Sequence, residues 1–195
     1  MAYFSIPYKC NGTNTFFNFT LKHDYVLLAG SRHLSINAHV CKDLINQFGK
    51  LGFSFLTGCA KGVDESFRDA LSKSDYVDST TIACAFNSKV KQFLGTFKLY
   101  AVSKALPPRA ALAKRTLWMT SHCSMLILFP SIPFGKGSSL AFKSAIKNKK
   151  PVFVVTDTIP TEFKDYRIFK SSLFGIVSGY WIIPTSIKEA ASCVN

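Results

Sequence analysis

The sequence predicts an α/β fold: a doubly wound, Rossmann-like, mostly parallel sheet with helices on both faces. Three observations predict it. Short continuous apolar runs recur along the chain, as expected for strands buried on both faces. Segments with a helical apolar period separate them. Three of the turns that follow such runs are rich in glycine. Strands and helices that alternate in this way build βαβ units with right-handed crossovers. The whole chain, 1–195, reads as one domain with its core at about 25–156. Segments 1–24 and 157–195 are terminal additions.

The elements follow in order. "YVLLAG" (25–30) is the first core strand, stopped by Gly30. In "SINAHVCKDLINQFGKLG", apolar residues at 36, 40, 44, 45 and 48 share one helical face. Ser35 is the expected N-cap and Gly49 the expected stop. "FSFLTG" (53–58) is the second strand. "DESFRDALSK" (64–73) is the next helix, its Asp64 and Glu65 suited to the positive end of the dipole. "STTIACAF" (79–86) is the third strand, and "TFKLYAVS" (96–103) contains a short one. Pro107 and Pro108 open a helix over 107–122. "SMLILF" (124–129), a helix over 138–150 and "PVFVVT" (151–156) complete the core. The aromatic, alternating stretches in 1–22 and 164–184 predict extra edge strands or hairpins. Ser186 and Glu189 stand at capping-box spacing, which predicts a last short helix.

The composition narrows the function. Twenty-four Lys and Arg residues face eleven Asp and Glu, a net charge of +13. A surplus of this size suits a polyanionic partner. No apolar run is long enough for a membrane span, and the first residues do not read as a secretory leader, so a cytoplasmic location is expected. The cysteines at 10, 41, 59, 84, 123 and 193 match no zinc spacing and read as reduced thiols. No cofactor is expected.

Three loops leave the carboxyl ends of predicted strands, the edge where open parallel sheets bind ligands. The first is Gly30-Ser31-Arg32, with a turn, a hydroxyl and a guanidinium fork. The second is "TGCAKGVD" (57–64). Thr57, Gly58, Lys61 and Gly62 precede a helix start, and Asp64 is placed to cap that helix or to accept from a ribose hydroxyl. The third, "PFGKGSS", carries Lys136, Gly137, Ser138 and Ser139 into a helix. Arg115 on the preceding helix is a further candidate, beside Arg109 and Lys114. Neither a P-loop nor a GxGxxG spacing is present.

Taken in order, "LLAGSR", "FLTGCAKGVDESFRDAL", "TTIACAF", "RTLWMTSHCSMLILFP" and "GKGSSLAFKSAIKNKKPVFVV" resemble the Rossmann-like domain of the DNA-processing protein A (Smf) family, within the SLOG superfamily. The resemblance covers about 25–156. It implies a non-catalytic protein that holds phosphates of single-stranded DNA at its strand-end loops, with a homodimer as a possible state. By position Arg32 would contact phosphate, with Lys61 and Lys136 nearby. The family's Arg-Asn-Arg segment is matched only loosely by Lys114-Arg115-Thr116, and Lys136 replaces the first serine of its last loop. A sensor of a small signalling nucleotide is the alternative. The chain also resembles the Lonely Guy phosphoribohydrolases at Arg115 and Met119. Their catalytic glutamate falls here on Leu140 or Ala141, and without it that chemistry lacks its acid.

Overall fold

The computed structural model describes residues 25–102, 106–158 and 165–187, together with the backbone of 2–10 and 13–21. Its centre is an eight-stranded sheet. In chain order the core elements are β3 (Tyr25–Gly30), α1 (Ala38–Lys50), β4 (Ser54–Gly58), α2 (Val63–Leu71), β5 (Thr80–Cys84), α3 (Asn87–Phe93) and β6 (Lys98–Ala101). The second half holds α4 (Pro108–His122), β7 (Met125–Phe129), α5 (Lys136–Lys147), β8 (Val152–Val154), β9 (Tyr166–Leu173) and β10 (Val177–Pro184). The sheet order is β6-β5-β4-β3-β7-β8-β10-β9. Pairing is parallel from β6 through to β8, and β10 runs antiparallel to both of its neighbours. β1 (Ala2–Cys10) and β2 (Thr13–Leu21) form a separate antiparallel pair.

The five continuous apolar runs became β3, β4, β5, β7 and β8, as their composition requires. Alternate residues of each strand face opposite sides of the sheet. Val26 and Leu28 with Phe55, Ile127 and Phe153 meet α1 and α2 on one face. Leu27, Leu56, Leu126, Leu128 and Val152 meet α4 and α5 on the other. A smaller cluster of Ile82, Cys84, Phe93 and Ala111 closes the β5 end.

Several boundaries differ from those read in the sequence. The α1 cap is Asn37, whose Oδ1 accepts from the His39 amide at 2.8 Å, rather than Ser35. Gly49 lies inside α1; a side chain there would overlap the Tyr76 ring, so the glycine makes room for packing rather than stopping the helix. α3 is not legible in the sequence, because its polar "NSKVKQF" has little apolar period. α5 begins at Lys136, two residues before the expected Ser138. The predicted helix over 186–192 lies largely outside the described residues. The C-terminal aromatic stretches form the β9–β10 hairpin. It extends the sheet because β10 pairs with β8 (Trp181 opposite Phe153), with Trp181 fully buried.

Candidate functional site

The strand order reverses at β3, with β4 on one side and β7 on the other. The crossovers from the two strands therefore leave in opposite directions, and a crevice opens beyond their carboxyl ends. A cleft of about 530 Å³ occupies this position. Gly30, Ser31, Arg32 and His33 line it from the loop after β3, and Ala60 and Asp64 from the loop after β4. α4 adds Arg109, Arg115, Thr116 and Met119. Ser131 and residues 135–138 close it from the loop and first turn of α5.

The glycines of the first two loops are used inside the protein. A Cβ on Gly30 would overlap the Phe129 carbonyl oxygen, the oxygen that accepts from the Ser31 amide at 2.8 Å. Gly62 has φ 72° and packs on the backbone of Ser31 and Arg32; the Val63 amide next to it donates to the Ser31 carbonyl at 3.1 Å. A Cβ on Gly58 would overlap Asp64 Oδ2 and stand 2.6 Å from an Arg115 guanidinium nitrogen. Absence of side chains thus lets these two loops pack against each other, the end of β7 and α4, whereas the sequence reads them as ligand-binding turns. Arg68 completes this region. Its guanidinium donates to the carbonyls of Gly58 (2.7 Å) and Ala60 (2.8 Å) and lies over the Phe93 ring.

The cleft floor holds a buried ion pair, Arg115 to Asp64 Oδ2 at 3.5 Å. Burial pushes the Asp64 carboxyl up from its ordinary range, opposed by Arg115, Arg68 and the Ala60 amide. Arg115 also donates toward Cys59 Sγ at 3.7 Å. The Cys59 thiol is pulled down, first by the hydrogen bond with Cys84, and beyond that by the Ala85 amide and Arg115, against burial that raises it. Cys84 is pushed up by the same bond. Arg115 Nε is buried without a hydrogen-bond partner among the described residues. A charged donor left unmatched in this way costs free energy unless something enters to accept from it.

The rim is cationic. Arg32, Arg109 and Lys136 are exposed and supply its charge, and His33 is exposed beside them. The helix end at the rim, α5, starts at Gly135 with no side-chain cap, so the amides of its first turn lack partners within the helix. A Cβ on Gly137 would meet nothing within 4 Å, so the space beside that turn is open. An uncapped helix start with cations beside it gives this end of the cleft a positive potential.

The structure brings Gly30, Ser31, Arg32, Asp64, Arg115, Lys136, Gly137 and Ser138 to one cleft. Thr57 is fully buried, its hydroxyl given to the Leu28 carbonyl at 2.8 Å. Gly58 and Gly62 lie behind the lining, and Lys61 and Ser139 are not part of it. Sequence reading missed Arg68, His33 and Ser131. Arg68 carried one legible signal, its position four residues after Asp64 on the helix face that Phe67 and Leu71 bury. Among the described residues no group of His, Cys, Asp or Glu could hold a metal ion, and no helix is long and apolar enough to cross a membrane.

Sheet order and cleft position define the class: a doubly wound, Rossmann-like α/β protein with its candidate site at the switch point. Solved structures with a similar fold include DNA processing protein A from Helicobacter pylori, at 15% identity and TM-score 0.55, covering 71% of this chain and 67% of that one. DNA processing protein A from Streptococcus pneumoniae is similar at 18% identity and TM-score 0.54, covering 71% of this chain and 52% of its own. At these identities the likeness is one of fold. No protein-family model and no curated protein sequence matches the chain.

Proposed function

We propose that this protein binds a single strand of nucleic acid without catalysing a reaction on it, seating backbone phosphates in the switch-point cleft. One observation carries the reading: the uncapped first turn of α5, open at Gly137, faces a cleft rimmed by Arg32, His33, Arg109 and Lys136 above the unmatched Arg115 Nε. Phosphate oxygens supply the acceptors this arrangement lacks. The fold likeness points the same way, since the Helicobacter pylori protein is described as binding single-stranded DNA. The non-catalytic reading rests on the cleft's carboxylate content. Asp64 is the carboxylate that lines it among the described residues, and it is held in the pair with Arg115. Leu140 and Ala141, at the position of the hydrolase glutamate, put apolar side chains on the wall.

A second reading, a sensor of a small nucleotide, is favoured by the Asp64–Arg115 floor. A buried pair of that kind can read one discrete group, and the cleft volume falls in the range of small-molecule sites. Titration of wild type and Arg32→Ala with single-stranded DNA, RNA and common nucleotides at two salt concentrations separates the readings. Strand binding is expected to weaken with salt, with a slope of about 0.7 per phosphate neutralised, and to weaken with the loss of Arg32. Tight mononucleotide binding with little salt dependence selects the sensor. Binding of every ligand unchanged by Arg32→Ala overturns the cleft assignment.

A further inference from the structure

A second feature lies on the flank of α4 facing the β6 edge. The Tyr100 and Trp118 rings stack with centroids 3.7 Å apart and planes 3° apart. His122 continues the series on Trp118 at 4.3 Å and 25°. The three come from two elements, β6 and α4, so the ladder exists only in the folded chain. Its outer end is His122, which is exposed. The His122 ring is held in place because Nδ1 lies 2.9 Å from the Trp118 carbonyl, which can only accept. Cations accompany the ladder. Lys98 is two residues before Tyr100, on the same side of β6, and Lys114 is one helical turn before Trp118; both are exposed. Between Asp78 and Asp157 the sequence contains no acid at all, so no carboxylate of β6, α4, β7 or α5 offsets them.

We infer that this flank is a second contact surface for single-stranded nucleic acid, on which a base stacks against His122 while Lys98 and Lys114 hold the adjoining phosphates. Stacking uses the π-face common to every base, and flanking cations track the backbone. Arg109 at the cleft and Trp118 are nine residues apart on α4, about 14 Å along the axis and half a turn apart around it, so a strand must be long enough to pass around the helix to span both places. The inference rests on the strand-binding reading of the cleft, but separate residues carry it.

The protein supplies its own reporter. Trp181 is fully buried and Trp118 is half-buried in the ladder, so a ligand-dependent change in tryptophan emission reports Trp118. The probes are oligothymidylate and oligouridylate of about 4 and about 16 nucleotides, spanning the site sizes of such binders. Both longer probes are expected to quench the emission, and the short ones to bind with little quenching. His122→Ala, at an exposed position, is expected to weaken the longer probes about tenfold and leave the short ones unchanged. The Lys98→Ala, Lys114→Ala double variant is expected to lower the salt slope for the longer probes by about 0.7 for each phosphate no longer neutralised. Unchanged affinity of His122→Ala for the longer probes overturns the proposal, whatever Trp118 emission does. So does a change in the number of associated copies, seen by sedimentation, with oligonucleotide affinity intact. Failure of the cleft reading looks different: Arg32→Ala then binds short and long probes as wild type does, while the His122 dependence persists.

Discussion

Gly58 decides whether the cleft floor can form. Its missing side chain leaves the space that Asp64 Oδ2 and the Arg115 guanidinium occupy, and Arg68 holds its carbonyl. Gly58→Ala is therefore expected to destabilise the fold by about 1–3 kcal/mol, the range for overpacking a closed interior, seen as a lower urea midpoint with unchanged slope. A variant as stable as wild type would mean the pair can shift aside. The sequence makes these residues visible but leaves part of their work misassigned. Glycine after a strand fits both an anion-binding loop and close packing against backbone or buried side chains. Gly30, Gly58 and Gly62 do the second, and Gly137 alone of the candidate glycines stands beside open space. The choice depends on which atoms lie within a few ångströms, and those atoms come from residues as distant as Phe129 and Arg115.

Among the elements, α5 joins fold to site most directly. Phe142 and Ala145 bury one face of it against the sheet, which fixes where its uncapped start must lie. Gly137 in that first turn packs against nothing, so its presence costs helix stability without a structural return. Gly137→Ala is expected to raise the thermal midpoint, by the equivalent of up to about 1 kcal/mol, while weakening strand binding by crowding the open amides. Melting curves and oligonucleotide titrations on the same preparation test this. Stabilisation without loss of affinity would remove the helix start from the site. At the other end of the sheet, the sequence predicts the β9–β10 hairpin as an addition but not where it sits. Its place is set by the antiparallel β10–β8 ladder and by Gly179, whose absent side chain admits the Val154 carbonyl. Alternation marks a strand, but it does not name the partner.

Across the whole molecule, charge is divided by layer. α1 and α2, with the connection to β5, carry Asp43, Asp64, Glu65, Asp69, Asp75 and Asp78 on one side of the sheet. α4 and α5 on the opposite face carry lysines and arginines and no acid. Net charge alone does not tell whether this division matters, but paired reversals do. Lys143→Glu with Lys147→Glu, one turn apart and exposed on α5, is expected to lower single-strand affinity about tenfold or more at low salt. Lys42→Glu with Lys50→Glu on α1 changes net charge equally and is expected to have a much smaller effect. Equal losses in filter or fluorescence titrations would show that binding follows total charge rather than a surface.

The sequence by itself determined the α/β class, the buried strands, most of the helices and the loops that border the site. Those features follow from local periodicity and from glycine placement, which a single segment expresses without its neighbours. Only the tertiary structure decided that β7 pairs with β3, and therefore that loops far apart in the chain line one cleft. It also decided that Asp64 meets Arg115, that Tyr100, Trp118 and His122 form one ladder, and that the acids lie on one layer while uncompensated cations lie on the other. Backbone pairing and side-chain packing join distant segments through complementary shape and matched polar groups, and no local pattern encodes which segments will meet.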